Sequence, residues 1–167
     1  MIDTSLFVAG GTDLRELGME AVVKAARHEV FRTLTTAEGW RAFFETESRI
    51  DLEVGGRIEI LFLEDAAPGG QGSEGCQFLS YVPDEMVSFT WNAPPHLPGP
   101  RGRRTWVVIT LWDEAGCCGG GGGGTRVSLR HLGFGEGAEW DECLEYFERA
   151  WGKVLEALAG HMESRRK

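Results

Sequence analysis

The sequence is poor in several things that would name a chemistry. It has four cysteines in 167 residues: Cys117 and Cys118 are adjacent, and Cys76 and Cys143 stand alone. That spacing is neither a disulfide framework nor a zinc-ligand set, and a reducing cytoplasm is its simplest setting. His28, His96, His131 and His161 are scattered, with no His-x-x-x-His pair, so no metal centre is expected. There is no Gly-x-Ser-x-Gly elbow to expose a nucleophile. Positive charge is scarce as well: 17 Lys and Arg against 26 Asp and Glu leave a net charge of −9. Nucleic acid and anionic membrane surfaces demand clustered Lys and Arg, and the one basic run, Arg165-Arg166-Lys167, is too short to reverse the balance. No hydrophobic run approaches a membrane span. Met1-Ile-Asp-Thr has no basic n-region and Leu6-Phe-Val-Ala is too short for an h-region, so no signal peptide is expected.

Glycine, by contrast, is abundant, with 24 residues, many of them between Gly116 and Gly124. A phosphate-cradling loop needs a Lys-Ser/Thr or a following helix, whereas this run leads into a β-rich segment. It predicts a flexible hairpin tip, and no cofactor is expected. The chain is long enough to bury one core without metal or disulfide help. Residues 1–15 predict an N-terminal arm or a short extra strand, because Gly10-Gly11 breaks Leu6–Ala9; residues 16–162 predict a single domain and residues 163–167 a basic tail.

Along the chain the hydrophobic period changes twice. Met19–Lys24 predicts a strand. Ala25–Thr33 brings Ala26, Val30 and Phe31 to one side of a short helix, and Thr35 or Thr36 can cap a second one through Ala37–Phe44, although Gly39 falls inside it. From Glu45 the period is two: Ile50 and Leu52, then Ile58, Ile60 and Phe62, alternate with polar residues around the Gly55-Gly56 turn. Cys76–Val82 predicts a strand with apolar residues on both faces, and Val87, Phe89 and Trp91 alternate cleanly with Ser88, Thr90 and Asn92. Ala93–Gly102, with four prolines, predicts a loop. Thr105–Trp112 and Thr125–Leu132 pair across the glycine run.

The last element organises the rest. Between Glu136 and Met162, Trp140, Cys143, Leu144, Phe147, Trp151, Val154, Leu155, Leu158 and Met162 recur at the spacing of one helical face. Acidic residues open the segment and basic ones close it, the order the helix dipole favours. Strands in a run with helices at the ends mean an α+β fold, its helices on one face of an antiparallel sheet.

Several of these segments together resemble the START-like (SRPBCC) superfamily, and within it the branch similar to the activator of heat-shock-protein ATPase. The carriers are Leu34-Thr-Thr-Ala-Glu-Gly-Trp, Gly55-Gly-Arg-Ile-Glu-Ile, Gly75–Pro83, Val87-Ser-Phe-Thr-Trp, Thr125-Arg-Val-Ser-Leu-Arg-His and Trp151-Gly-Lys-Val-Leu-Glu-Ala-Leu, spread over about residues 18 to 160. The resemblance implies a helix-grip architecture: about seven antiparallel strands curve around the long C-terminal helix, with two short helices between the first two strands and a cavity between sheet and helix. Members bind lipids, polyketides, hormones or other apolar molecules, and some are cyclases or hydrolases. Such a transfer is analogy, because the fold does not carry the activity. Here Ala150-Trp151 stands in place of the family's usual Gly-Trp, and Ala93–Arg101 replaces a shorter connection, so that this segment is expected to lid the cavity.

The residues expected to line that cavity are Ile60, Phe62, Leu79, Tyr81, Phe89, Trp91, Ile109, Leu129 and His131 from the sheet, with Trp140, Phe147 and Trp151 opposite. The alternative is a solid aromatic core. His131 either touches a ligand, as donor or general base, or is a hydrogen-bonded core histidine; Tyr81 has the same pair of readings. Three functions follow: binding of a small apolar molecule, a cyclase- or hydrolase-type enzyme using His131 and Tyr81 in the same cavity, or stimulation of a chaperone ATPase. Trp106, Val108 and Trp112 share the strand face opposite Val107, Ile109 and Leu111, and a patch of that kind predicts a homodimer.

Overall fold

The computed structural model describes residues 3–5, 15–118 and 122–165. In chain order these form β1 (Asp3–Ser5), β2 (Arg15–Val23), α1 (Arg27–Leu34), α2 (Ala37–Phe44), β3 (Glu47–Ile50), β4 (Ile58–Leu61), β5 (Phe78–Val82), β6 (Met86–Trp91), α3 (Pro98–Arg101), β7 (Thr105–Cys118), β8 (Gly122–Phe134) and α4 (Ala138–Ser164). The main sheet runs β1-β2-β8-β7-β6-β5, antiparallel throughout. β3 and β4 form a separate hairpin, but the backbone stitches it on: Phe78 donates to the Gly56 carbonyl and Ile58 to that of Cys76. β2 and β5–β8 with that hairpin make the seven-stranded curved sheet of a helix-grip fold, and the three residues of β1 extend one edge.

α4 lies in the grip. Cys143, Leu144, Phe147, Trp151, Val154, Leu155, Leu158 and Met162 are its buried residues. They meet the inward sets of the strands, Leu17, Met19 and Ala21 of β2, Val107, Ile109 and Leu111 of β7, and Val127 and Leu129 of β8. The two short helices follow β2. The Thr36 hydroxyl caps α2 by accepting from the Gly39 amide at 3.1 Å. Gly39 itself is a requirement and not a weak point: a Cβ there would stand 2.1 Å from the Thr33 carbonyl oxygen, so glycine is what lets α2 lie against the end of α1.

Three expectations change. Ala93–Gly102 is not loop throughout, because Pro98, with its φ already suited to a helix, starts the single turn α3. β7 and β8 run on to Cys118 and from Gly122, so the ladder reaches further into the glycine run than expected; residues 119–121 lie outside the described ones, as do Leu6–Ala9. Leu79 does not face the interior. The register shifts between Phe78 and Ser80, so Phe78 is buried, Leu79 is 45% exposed and Tyr81 returns to the core side. A bulge moves one residue out of the alternation, and parity counted straight through it fails. Among the described residues no helix is long and apolar enough to cross a membrane.

Candidate functional site

Trp91, the last residue of β6, stands against Trp151 in the middle of α4, with ring centroids 5.2 Å apart. Phe62, just past β4, lies 6.3 Å from Trp91, and Phe44, the last residue of α2, lies 5.7 Å from Phe62. These four rings, with Phe147, wall a cleft of about 290 Å³ between the sheet and α4. That volume is at the lower end for small-molecule sites, roughly 300–1,000 Å³.

The rim is made by two segments that follow strands. Leu63 and residues Gly70–Ser73 come from the connection between β4 and β5, and Asn92–Pro95 from the one after β6. Arg101 ties them together, donating to the carbonyls of Ala93, Gly69 and Gly72 and reaching Glu74 Oε2 at 3.5 Å. The Glu74 carboxylate in turn accepts the amides of Gly69, Gln71 and Gly72 at 2.7, 3.1 and 2.9 Å. Burial pushes the Glu74 pKa up, but the backbone amides outweigh it and hold the group below its ordinary value. The far segment rests on α4, where the Gly99 amide donates to Glu139 at 3.0 Å and His96 faces Glu142 at 3.5 Å. The rim is seated without slack: a Cβ on Gly72 would stand 1.9 Å from the Ile60 carbonyl oxygen.

His131 is fully buried and does not line the cleft. The Trp151 indole N–H can only donate, so Nδ1 of His131 accepts it at 3.1 Å and the ring proton sits on Nε2. That proton points to Thr105 Oγ1 at 2.7 Å, and the Thr105 hydroxyl donates on to the Trp91 carbonyl at 3.2 Å. Burial without a nearby anion drives the His131 pKa down to about 3, so the ring is neutral and both nitrogens are engaged. Through this relay the histidine links β7, β8 and α4 directly behind the two tryptophans of the cleft.

Of the residues expected to line a cavity, the structure brings Phe62, Trp91, Phe147 and Trp151 to the cleft. Ile60, Phe89, Ile109 and Leu129 are buried deeper in the core, at 0 to 2% exposure. Tyr81 rests half-buried against that core, away from the cleft. Trp140 sits at the start of α4, edge-on to Phe134 and beneath Arg103. Phe44, Tyr146, Arg149 and Lys153 line the cleft and were not singled out by sequence. Arg149 and Lys153, four residues apart, share the exposed side of α4, and only their long side chains bring them to the edge of the cleft, which the helical period does not signal. Burial pushes the Cys76 and Cys143 thiols up to about 11 and about 12, so both stay protonated. Among the described residues no three His, Cys, Asp or Glu side chains gather as metal ligands.

A helix laid in a curved sheet with a cleft beside its middle is the arrangement against which known proteins can be compared. The family model described as "Activator of Hsp90 ATPase homolog 1-like protein" matches residues 24–163. The chain belongs to this family. No curated protein matches the sequence. Among solved structures, protein MLL2253 from Mesorhizobium loti is similar, with 19% identity, TM-score 0.68, and coverage of 90% of this chain and 98% of its own. CalU16 from Micromonospora echinospora is 20% identical, with TM-score 0.65, and covers 99% of this chain and 87% of its own. The Aha1 dimer from Colwellia psychrerythraea is 16% identical, with TM-score 0.60, and covers 86% of this chain and 96% of its own. At such identities these neighbours establish the fold of this chain and nothing finer.

Proposed function

We propose that the protein binds a small apolar molecule in the cleft between β6 and α4. The observation that carries this reading is the aromatic wall of Phe44, Phe62, Trp91 and Trp151 standing against about 290 Å³ of open space. Apolar surface taken out of water there contributes about 25 cal/mol per Å². The test is a fluorescence titration with N-phenyl-1-naphthylamine, following both the dye and the tryptophan emission it quenches. Ala150 lines the cleft, and Ala150→Phe fills part of it. The variant is expected to bind the dye about tenfold more weakly while melting close to the parent. Equal affinity in the two proteins would put the dye elsewhere and overturn the reading.

The enzymatic alternative draws no support from its two proton-handling candidates, because neither His131 nor Tyr81 lines the cleft. The family's description carries the other alternative, stimulation of a chaperone ATPase. Adding the protein to a purified Hsp90 reaction separates the two: the ligand-binding reading expects an unchanged ATPase rate.

Self-association has its own support. On the outer face of β7, Trp112 is 48% exposed, and Val22 of β2, two strands away in the same row, is 40% exposed. One similar structure is described as a dimer. We therefore propose a homodimer through the face of Trp106, Val108 and Trp112.

A further inference from the structure

We propose that the molecule taken by the cleft is an amphipathic anion, its apolar body on the aromatic wall and its carboxylate between Arg149 and Lys153. This rests on the ligand-binding reading above and adds a chemical class to it. The chain carries more acid than base, 26 against 17, yet the cleft lining inverts that ratio: it includes Arg101, Arg149 and Lys153, with no Asp or Glu. Arg101 is used up by the rim carbonyls and Glu74. Arg149 and Lys153 are different. They project from successive turns on the exposed side of α4, reaching the edge of the cleft, and neither pairs with a carboxylate among the described residues.

Elsewhere the arginines find acids readily. Arg27 meets Asp113, Arg41 meets Glu47, Arg57 meets Asp51 and Arg130 meets Glu16. A chain so rich in carboxylates that leaves two adjacent cations unpaired, beside its apolar cleft, presents a field suited to a negative head group. A low-dielectric wall on one side strengthens that field relative to an open surface. A neutral oil would gain only contact with the methylene stems of these two side chains, and a cation would be repelled by their charged ends.

The test compares three probes of one chain length, each below its micelle concentration, by displacement of N-phenyl-1-naphthylamine: dodecanoate, dodecanol and dodecyltrimethylammonium. At low ionic strength dodecanoate is expected to bind about fivefold or more tighter than dodecanol, with the ammonium weakest. The difference should shrink as salt is raised. In the double variant Arg149→Gln, Lys153→Gln the preference for dodecanoate should fall to near parity. The charge-keeping exchange Arg149→Lys, Lys153→Arg should retain it, which separates charge from any disturbance of the helix. Equal affinity for dodecanoate and dodecanol in the parent would overturn the anion proposal and leave the cleft as a neutral site. A preference that survives the double Gln variant would overturn the assignment to these residues. Failure of all three probes to displace the dye, or of the dye to bind, would remove the ligand-binding reading and this proposal with it.

Discussion

His131 holds its ring between two partners and has no face left for a third. Its parity in β8 was readable from Val127 and Leu129, but its partners were not, since Thr105 and Trp151 stand 26 and 20 residues away. Burial also sets how it responds to acid. Above its ordinary pKa of 6.5 the ring is neutral folded or unfolded, and it contributes no pH dependence. Below that, the unfolded chain takes up a proton that the folded one refuses until about pH 3, so stability falls across that window. His131→Gln should therefore differ most from the parent near pH 7.5 and less near pH 5 in urea titrations. His131→Ala leaves the Trp151 indole and the Thr105 hydroxyl without their partner and opens a hole, a cost of about 3 kcal/mol or more. A parent–Gln difference that stays constant from pH 7.5 to 5 would refute the account.

The elements around the cleft were legible to unequal degrees. α4 was readable almost residue by residue, because a single apolar stripe at helical spacing can face only one way. The stripe says nothing of the polar residues off it, and two of these, Arg149 and Lys153, line the cleft. The second rim segment was recognisable as a proline-rich connection, but the Arg101–Glu74 contact that joins it to the first spans 27 residues and leaves no local mark. Glu74 gathers three amides and one guanidinium, so Glu74→Gln should cost about 1–3 kcal/mol and speed amide hydrogen exchange at Gly69, Gln71 and Gly72. Since its folded pKa is lowered, its contribution is complete above the unfolded carboxylate range and is lost as pH falls through the folded value. Unchanged exchange at those three amides in the variant would mean that the carboxylate does not order the rim.

At the scale of the whole molecule, the sheet has an inner face spent on α4 and an outer face with Trp112 and Val22 uncovered. Light scattering at high protein concentration is expected to give a dimer mass and Trp112→Glu a monomer; at dilutions where the parent is also monomeric the two should melt alike, because the Trp112 ring is half exposed. A monomeric parent at high concentration would remove the dimer.

Periodicity was enough by itself to determine the α+β class, the order of the main strands, the two short helices after the first long strand and the buried stripe of α4. Each of those depends on which side of a local element is apolar, and a local element repeats every two or 3.6 residues. The tertiary structure alone decided the rest: that the core closes behind Trp91 and Trp151, that the open space lies beside the middle of α4, that Leu79 is turned out by a bulge, and that His131 is a strut in the core. A cleft is the gap left when rigid surfaces from distant parts of the chain meet. Its size and its charge depend on how far apart those surfaces stop, and no repeat along the chain encodes that distance.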